Sequence, residues 1–147
     1  MDNRNTPLGV VIGRMMHGIF RILKVRTYDQ IDVKLTIDQF GLLYAIDRNG
    51  EEVIQKDMAK FMEKDASAVL RMIDSLEDKE LVVRVVDKND RRKNKIMVTK
   101  KGEKVIEQLI QIEMQLDAEL MQGLPNEDID TFYKVIDHIQ GQAKRIS

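Results

Sequence analysis

Asp65-Ala66-Ser67-Ala68-Val69-Leu70-Arg71-Met72-Ile73-Asp74-Ser75-Leu76-Glu77-Asp78-Lys79-Glu80-Leu81-Val82-Val83-Arg84-Val85-Val86-Asp87-Lys88-Asn89-Asp90-Arg91-Arg92 is the stretch on which the fold turns. Its hydrophobic period changes partway along. Val69, Ile73 and Leu76 recur at steps of three and four, which places them on one face of a helix. Asp65 stands where a carboxylate caps the first turn of that helix. Leu81 to Val86 is mostly β-branched and reads as a strand. A polar run from Asp87 to Asn94 follows, and Lys95-Ile96-Met97-Val98-Thr99 alternates as a second strand. The stretch therefore predicts a helix followed directly by a β-hairpin.

Upstream, Ile54 to Met62 reads as a short helix with Ile54, Met58, Ala59, Phe61 and Met62 inward. Glu63-Lys64-Asp65 breaks it. Two short helices joined by a three- or four-residue turn are a helix-turn-helix, and the hairpin after the second occupies the place of a wing. Further upstream, Thr36-Ile37-Asp38-Gln39 is a capping box, with Leu35 and Phe40 as a hydrophobic staple across it. Phe40, Leu43, Tyr44 and Ile46 supply that helix's stripe, and Asn49-Gly50 ends it. Leu8 to about Gln30 is a longer amphipathic helix, apolar at Leu8, Val11, Ile12, Met15, Met16, Ile19, Phe20 and Leu23.

Downstream, Lys101-Gly102 opens a long helix running to about Gln122, with Val105, Ile106, Leu109, Ile112, Leu116 and Leu120 on one side. Gly123-Leu124-Pro125-Asn126 interrupts the chain, and Pro125 suits the first turn of a last helix. Ile129, Phe132, Tyr133, Ile136 and Ile139 form its stripe. The expected fold is mostly α with a small β-hairpin wing: one domain over 1–147. In it a winged helix-turn-helix at about 34–100 is flanked by helices at about 7–30 and 101–145. The first and last helices have wide apolar faces with no obvious partner in the winged part. Pairing with a second copy, or packing on each other, would cover them; the homodimer is the expected solution.

The 147 residues hold 24 basic and 25 acidic side chains, but the charge is sorted along the chain. Residues 1–53 are balanced, residues 54–104 carry 14 basic against 10 acidic, and residues 105–147 carry 3 against 8. Lys88 to Lys104 holds eight basic residues against Asp90 and Glu103. A local positive patch of this kind either meets phosphates or is a solvated face.

The chain has no cysteine, which excludes disulfides, thiolate metal sites and thiol redox chemistry. No apolar run reaches the roughly 18 residues of a membrane span. The stretch Leu8–Phe20, cut by Arg14 and His17, lacks the small-residue cleavage site of a signal peptide. The expected location is the cytoplasm. His17 and His138 read as interface residues and the nine methionines as adaptable core filler. No glycine-rich phosphate loop, activated nucleophile or paired buried carboxylates is present, so neither an enzyme nor a cofactor is expected.

Three stretches resemble the MarR family of winged helix-turn-helix regulators. Leu35-Thr36-Ile37-Asp38-Gln39-Phe40 is similar to the family's Leu-Thr-x-x-Gln-aromatic helix start. Asp65 to Leu76 resembles its recognition helix. Asp87-Lys88-Asn89-Asp90-Arg91-Arg92, with Val98-Thr99-Lys100-Lys101-Gly102, resembles its wing and wing exit. The resemblance implies an obligate dimer built by the first and last two helices. Each subunit would place one helix in a major groove and one wing against a minor groove of duplex DNA. It further implies a sequence-specific regulator, a repressor, released by small phenolic or aromatic effectors bound near the junction of the two regions. The alternative is a winged-helix dimer that binds proteins and not DNA, to which the near-zero net charge points.

On this reading Arg71, opposite the core face, either grips guanine or pairs with Asp74 one turn on. Ser67 and Ala68 enter the groove with the helix N-terminus; Ser67 would bond a phosphate or base, and Ala68 would touch a thymine methyl. The family commonly has threonine or serine at the position of Ala68 and threonine at that of Leu70, so this helix carries fewer polar readers. Of Arg91 and Arg92, one enters the minor groove and the other pairs with Asp90 to brace the loop. The resemblance favours Arg91 for insertion and Arg92 for bracing. Lys88, Lys93 and Lys95 would contact phosphates. Gln55 and Lys56 open the first helix of the motif and would hold a phosphate there.

Overall fold

The computed structural model describes residues 3–49, 58–59, 64–90 and 94–146. After a short 3-10 turn at Asn3–Asn5 come α1 (Leu8–Gln30), α2 (Ile37–Asn49), α3 (Ala66–Asp78), β1 (Val82–Val86), β2 (Asn94–Val98), α4 (Lys100–Leu120) and α5 (Asn126–Ile146). The helix expected at Ile54–Met62 lies outside the described residues except for Met58 and Ala59, which are helical, Met58 being buried. Two compact units divide the chain, Met1–Glu113 and Met114–Ser147.

In the first unit α2 is the central helix. Its start is the reciprocal cap expected from the sequence: the Gln39 amide donates to Thr36 Oγ1 at 3.2 Å, and the Thr36 amide donates to Gln39 Oε1 at 3.0 Å. Phe40, Leu42, Leu43, Ala45 and Ile46 are all buried, so the apolar face is wider than the expected stripe. Tyr44 departs from that stripe. It is exposed because its polar end stays with Arg48, whose Nε donates to the phenol oxygen at 3.1 Å.

The hairpin is antiparallel, with Val82 opposite Val98 and Val86 opposite Asn94. Alternation along β1 sends Val82 and Arg84 to one face and Val83 and Val85 to solvent. Val82 and Ile96 are fully buried, as are Val69, Ile73 and Leu76 of α3.

The join between α3 and β1 is a Schellman motif. The Leu81 amide donates to the Leu76 carbonyl at 2.9 Å and the Glu80 amide to the Glu77 carbonyl at 2.8 Å, with Glu80 left-handed at φ 61°. Leu76 and Leu81, both fully buried, complete its apolar contact. Thr99 then ties the far end of the hairpin to this turn. Its amide donates to Leu81 O at 3.0 Å, its hydroxyl donates to Glu80 O at 2.6 Å, and the same hydroxyl accepts the Gly102 amide at 3.1 Å. Gly102 is buried in the first turn of α4, against Leu81 and Val98. A Cβ there would stand 2.2 Å from the Leu81 carbonyl oxygen.

Val105, Ile106, Leu109 and Ile112 of α4 are buried in this unit. In α1 only Leu23 and Thr27 are buried, the Thr27 hydroxyl donating to the Leu23 carbonyl at 2.8 Å. Leu8, Val10, Ile12, Met15, Phe20 and Val25 are exposed. Lys34 closes the helix by donating to the carbonyls of Tyr28 and Ile31, the last turn's unsatisfied acceptors, with its ammonium 4.0 Å from the Tyr28 ring centre.

In the second unit Leu116 is buried. Leu120, expected inside, is exposed because it is the last helical residue before the turn that Gly123 makes at φ 84°. Helix α5 buries none of its residues, and Phe132, Tyr133 and Val135 are exposed. Among the described residues no helix is long and apolar enough to cross a membrane.

Candidate nucleic-acid interface

Helix α3 begins where Asp65 turns the chain: its carboxylate accepts the Ala68 amide at 3.1 Å. With Val69, Ile73 and Leu76 inward, the 3.6-residue period leaves Ala66, Ser67, Leu70, Arg71 and Asp74 on the outward face, and all five are exposed. Ala68 is half-buried beside the cap, so the outward apolar side chain is Leu70 instead.

Among the described residues Arg71 makes no hydrogen bond or ion pair, although Asp74 stands one turn away. The reason lies on β1. Arg84 shares the strand's inward face and returns to α3, where its guanidinium pairs with both Asp74 and Glu77. Its backbone amide also donates to Glu77 Oε1 at 3.2 Å. The two carboxylates, three residues apart, are neutralised from the strand side. Asp74 therefore pairs with Arg84 and not with Arg71. Sequence reasoning passed over Arg84 as one polar residue in a strand, but period-two alternation with Val82 was the signal that it turns inward.

A second set of contacts locks α3 against α2. Gln39 Nε2 donates to Ser75 Oγ at 3.1 Å, and Lys64 pairs with Asp38 at 3.1 Å. The helix with the outward Arg71 is therefore fixed at both ends to the body of the unit.

The hairpin tip is organised by Asp87, the first residue of the wing motif, to which the sequence reading gave no role. Its carboxylate accepts the Asn89 amide at 2.7 Å and the Asp90 amide at 2.9 Å, and pairs with Lys95 across the hairpin at 3.1 Å. An aspartate bonding the amides two and three residues on is a turn signature that the polar loop contained. Those two amides first, and Lys95 after them, hold the Asp87 carboxyl down from 3.8 to about 2. Lys95, expected at a phosphate, is committed to this turn, while Lys88 is exposed. Arg91, Arg92 and Lys93 at the tip, and Gln55 and Lys56 upstream, lie outside the described residues. Among the described residues no group of histidine and acidic side chains could hold a metal ion.

This arrangement has clear relatives. Residues 35–93, from the capping box to the hairpin tip, match the model of the MarR family. A mutant MarR from E. coli, solved in complex with operator DNA, is 26% identical, with a TM-score of 0.78 over 93% of this chain and 96% of that one. CouR, a transcriptional repressor bound to a 23-mer DNA duplex, superposes with a TM-score of 0.81 at 22% identity, covering 95% and 96% of the two chains. PcaV, a transcriptional regulator from Streptomyces coelicolor in complex with its natural ligand, gives 0.74 at 18% identity over 97% of each chain. Residues 35–93 thus match the MarR family of transcriptional regulators, and the chain as a whole carries the winged-helix fold of these solved structures.

Proposed function

We propose that this protein is a homodimeric repressor that binds duplex DNA sequence-specifically, with α3 in the major groove and the hairpin tip against the minor groove. The observation that carries this reading is the outward face of α3. Arg71 stands exposed and, among the described residues, unpaired on a helix whose nearest acid, Asp74, is occupied with Glu77 by Arg84. An unpaired guanidinium on such a surface suits the two acceptors of guanine, a contact worth about 1–3 kcal/mol of discrimination. Ser67 in the first turn and Lys88 on the hairpin add phosphate contacts, and the tip arginines Arg91 and Arg92 divide insertion and bracing between them. Lys93, Gln55 and Lys56 extend the phosphate contacts, and Lys95 acts through Asp87 by setting the shape of the tip.

The dimer rests on the exposed apolar faces of α1 and α5, which a second copy would cover. The effector would sit at the open cleft between the end of α1 and the start of α2. Lys24 and Lys34 stand at that cleft with Tyr28, Leu35 and Phe40 on its walls, a setting for a small aromatic acid or phenol. Binding there would release DNA only by as much as it favours one spacing of the two recognition helices over the other.

Duplex binding followed against salt tests the proposal. Affinity for a duplex selected from a randomised pool should fall steeply, with a log–log slope of about −0.9 per neutralised phosphate. Its enriched half-sites should lie about 34 Å apart. Arg71→Ala should weaken the selected duplex by about tenfold or more and a random duplex much less. No binding of any duplex at low salt would overturn the reading in favour of a protein-interaction module.

A further inference from the structure

Leu70 has no structural reason to be where it is. It is 40% exposed in the middle of α3, flanked on the outward face by Ser67 one turn before and Asp74 one turn after, with Arg71 beside it. The core face of the helix is complete without it, since Val69, Ile73 and Leu76 are buried at 0–1% exposure. An outward leucine on a helix of this amphipathicity gains only by being covered. What its neighbours suit is a nucleic-acid groove: a free guanidinium, a first-turn hydroxyl, and a helix start whose Ala68 amide is already capped.

We propose that Leu70 is a specificity-determining residue that reads the C5 methyl group of a thymine next to the base pair gripped by Arg71. The inference rests on the DNA-binding reading above and adds the chemistry of one base position to it. In the major groove the thymine methyl is the one apolar feature that a base pair presents, and a branched aliphatic side chain is its natural partner. A leucine reaches further from the helix axis than an alanine. It can therefore make this contact where Ala68, half-buried beside the Asp65 cap, cannot. The side chain has no donor or acceptor, so cytosine, which presents a donor and no methyl there, is refused through loss of the apolar contact and a stranded amino group.

The test uses the full chain and the palindromic duplex enriched from a randomised pool, with each thymine replaced in turn by deoxyuridine, which deletes only the methyl group. For the wild type, replacement at one thymine in both half-sites should weaken binding by about tenfold, and the remaining thymines should be indifferent. Leu70→Ala should bind more weakly overall and be blind to the same replacement. Leu70→Asn should be equally blind, so the assignment does not hang on one variant. The outward position predicts unchanged melting temperatures for both. Binding by the wild type with no methyl-sensitive thymine, or sensitivity retained in both variants, overturns the role of Leu70 while leaving DNA binding intact. Failure to enrich any duplex overturns the functional reading itself.

Discussion

The winged part of this molecule and its terminal helices solve the burial problem in opposite ways. From Thr36 to Gly102 each described element is tied to its neighbour: the capping box of α2, the Gln39–Ser75 bond, the Arg84 clamp on α3, and the Thr99 link from the hairpin to the α3–β1 turn. Most of its large aliphatic residues are buried, apart from Leu70 on α3 and the outer valines of β1, and Tyr44 keeps its hydroxyl with Arg48. In α1 and α5 the apolar residues are mostly outside. The first kind of region closes on itself and presents a few charged groups. The second is unfinished as a single chain, and its stability belongs to whatever covers it.

The largest effect should come from the point where the winged part is tightest. Gly102→Ala puts a methyl group 2.2 Å from the Leu81 carbonyl oxygen and 2.7 Å from a Val98 methyl carbon. Backbone cannot yield there without disturbing Thr99 and the hairpin exit. A loss of at least about 3 kcal/mol in unfolding free energy is expected in urea denaturation. An unchanged denaturation midpoint would mean that the first turn of α4 has room for a methyl group beside Leu81 and Val98.

The terminal helices should respond in the opposite sense, losing assembly before fold. Phe20→Glu combined with Tyr133→Glu places carboxylates on both exposed apolar faces. The dimer dissociation constant should rise by about a hundredfold or more, while each subunit keeps its helical content. Light scattering across a dilution series, with circular dichroism on the same samples, measures both. A wild-type chain that is monomeric at all concentrations would remove the premise.

A smaller and pH-dependent effect belongs to the hairpin tip. The Asp87 carboxyl is held at about 2 by the Asn89 and Asp90 amides and by Lys95, against 3.8 for the free group. Its folded value is depressed, so its contribution to stability is fully present above about pH 4 and disappears as the pH falls through about 2. Asp87→Asn should therefore melt below the wild type between pH 5 and 7, and the gap should close on acidification. A gap that stays constant with pH would show that the carboxylate charge is not what organises the turn. Because Lys95 is part of the same arrangement, Lys95→Met should narrow the gap as well.

Much of this was legible in the chain. The capping box, the Asp65 cap, the buried triplet of α3 and both strands follow from period and local chemistry, and local chemistry is what sequence displays best. The limits of the stripes were less legible. Tyr44 and Leu120 have the hydrophobicity of core residues, yet a phenol that keeps its arginine and a leucine at a helix end remain outside. Arg84 went unread, and Asp87 and Gly102 were read as motif residues without their contacts, for a different reason. Each acts on a partner brought to it by the hairpin or by the start of α4. Arg84 meets carboxylates up to ten residues back, and Gly102 meets a carbonyl twenty-one residues back. Arg71 itself was found by its place opposite the core face. That it is free of Asp74 depends on Arg84 and so waited for the fold.

The smallest effect tests the same turn that joins the two strands' anchor points to α3. Glu80 takes the left-handed conformation at the position of the Schellman motif where glycine is preferred. For a residue with a Cβ that conformation costs about 1–2 kcal/mol, and glycine's extra backbone freedom in the unfolded chain offsets about 0.5–1 of it. What the glutamate side chain returns is little: it is 82% exposed and, among the described residues, meets only Lys101, at 3.4 Å. The bonds that define the turn, from the Glu80 and Leu81 amides and to the Glu80 carbonyl, all belong to the backbone and survive its removal. Glu80→Gly should therefore stabilise the protein by about 0.5 kcal/mol, raising the melting temperature by roughly 1–3 °C. DNA affinity and assembly should stay as they were, since no group on the outward face of α3 or on the terminal helices is touched. A lower melting temperature would mean that the Lys101 contact outweighs the strain, and Lys101→Met, which also loses the bond to the Lys79 carbonyl at 2.9 Å, should then cost more in the wild type than in Glu80→Gly.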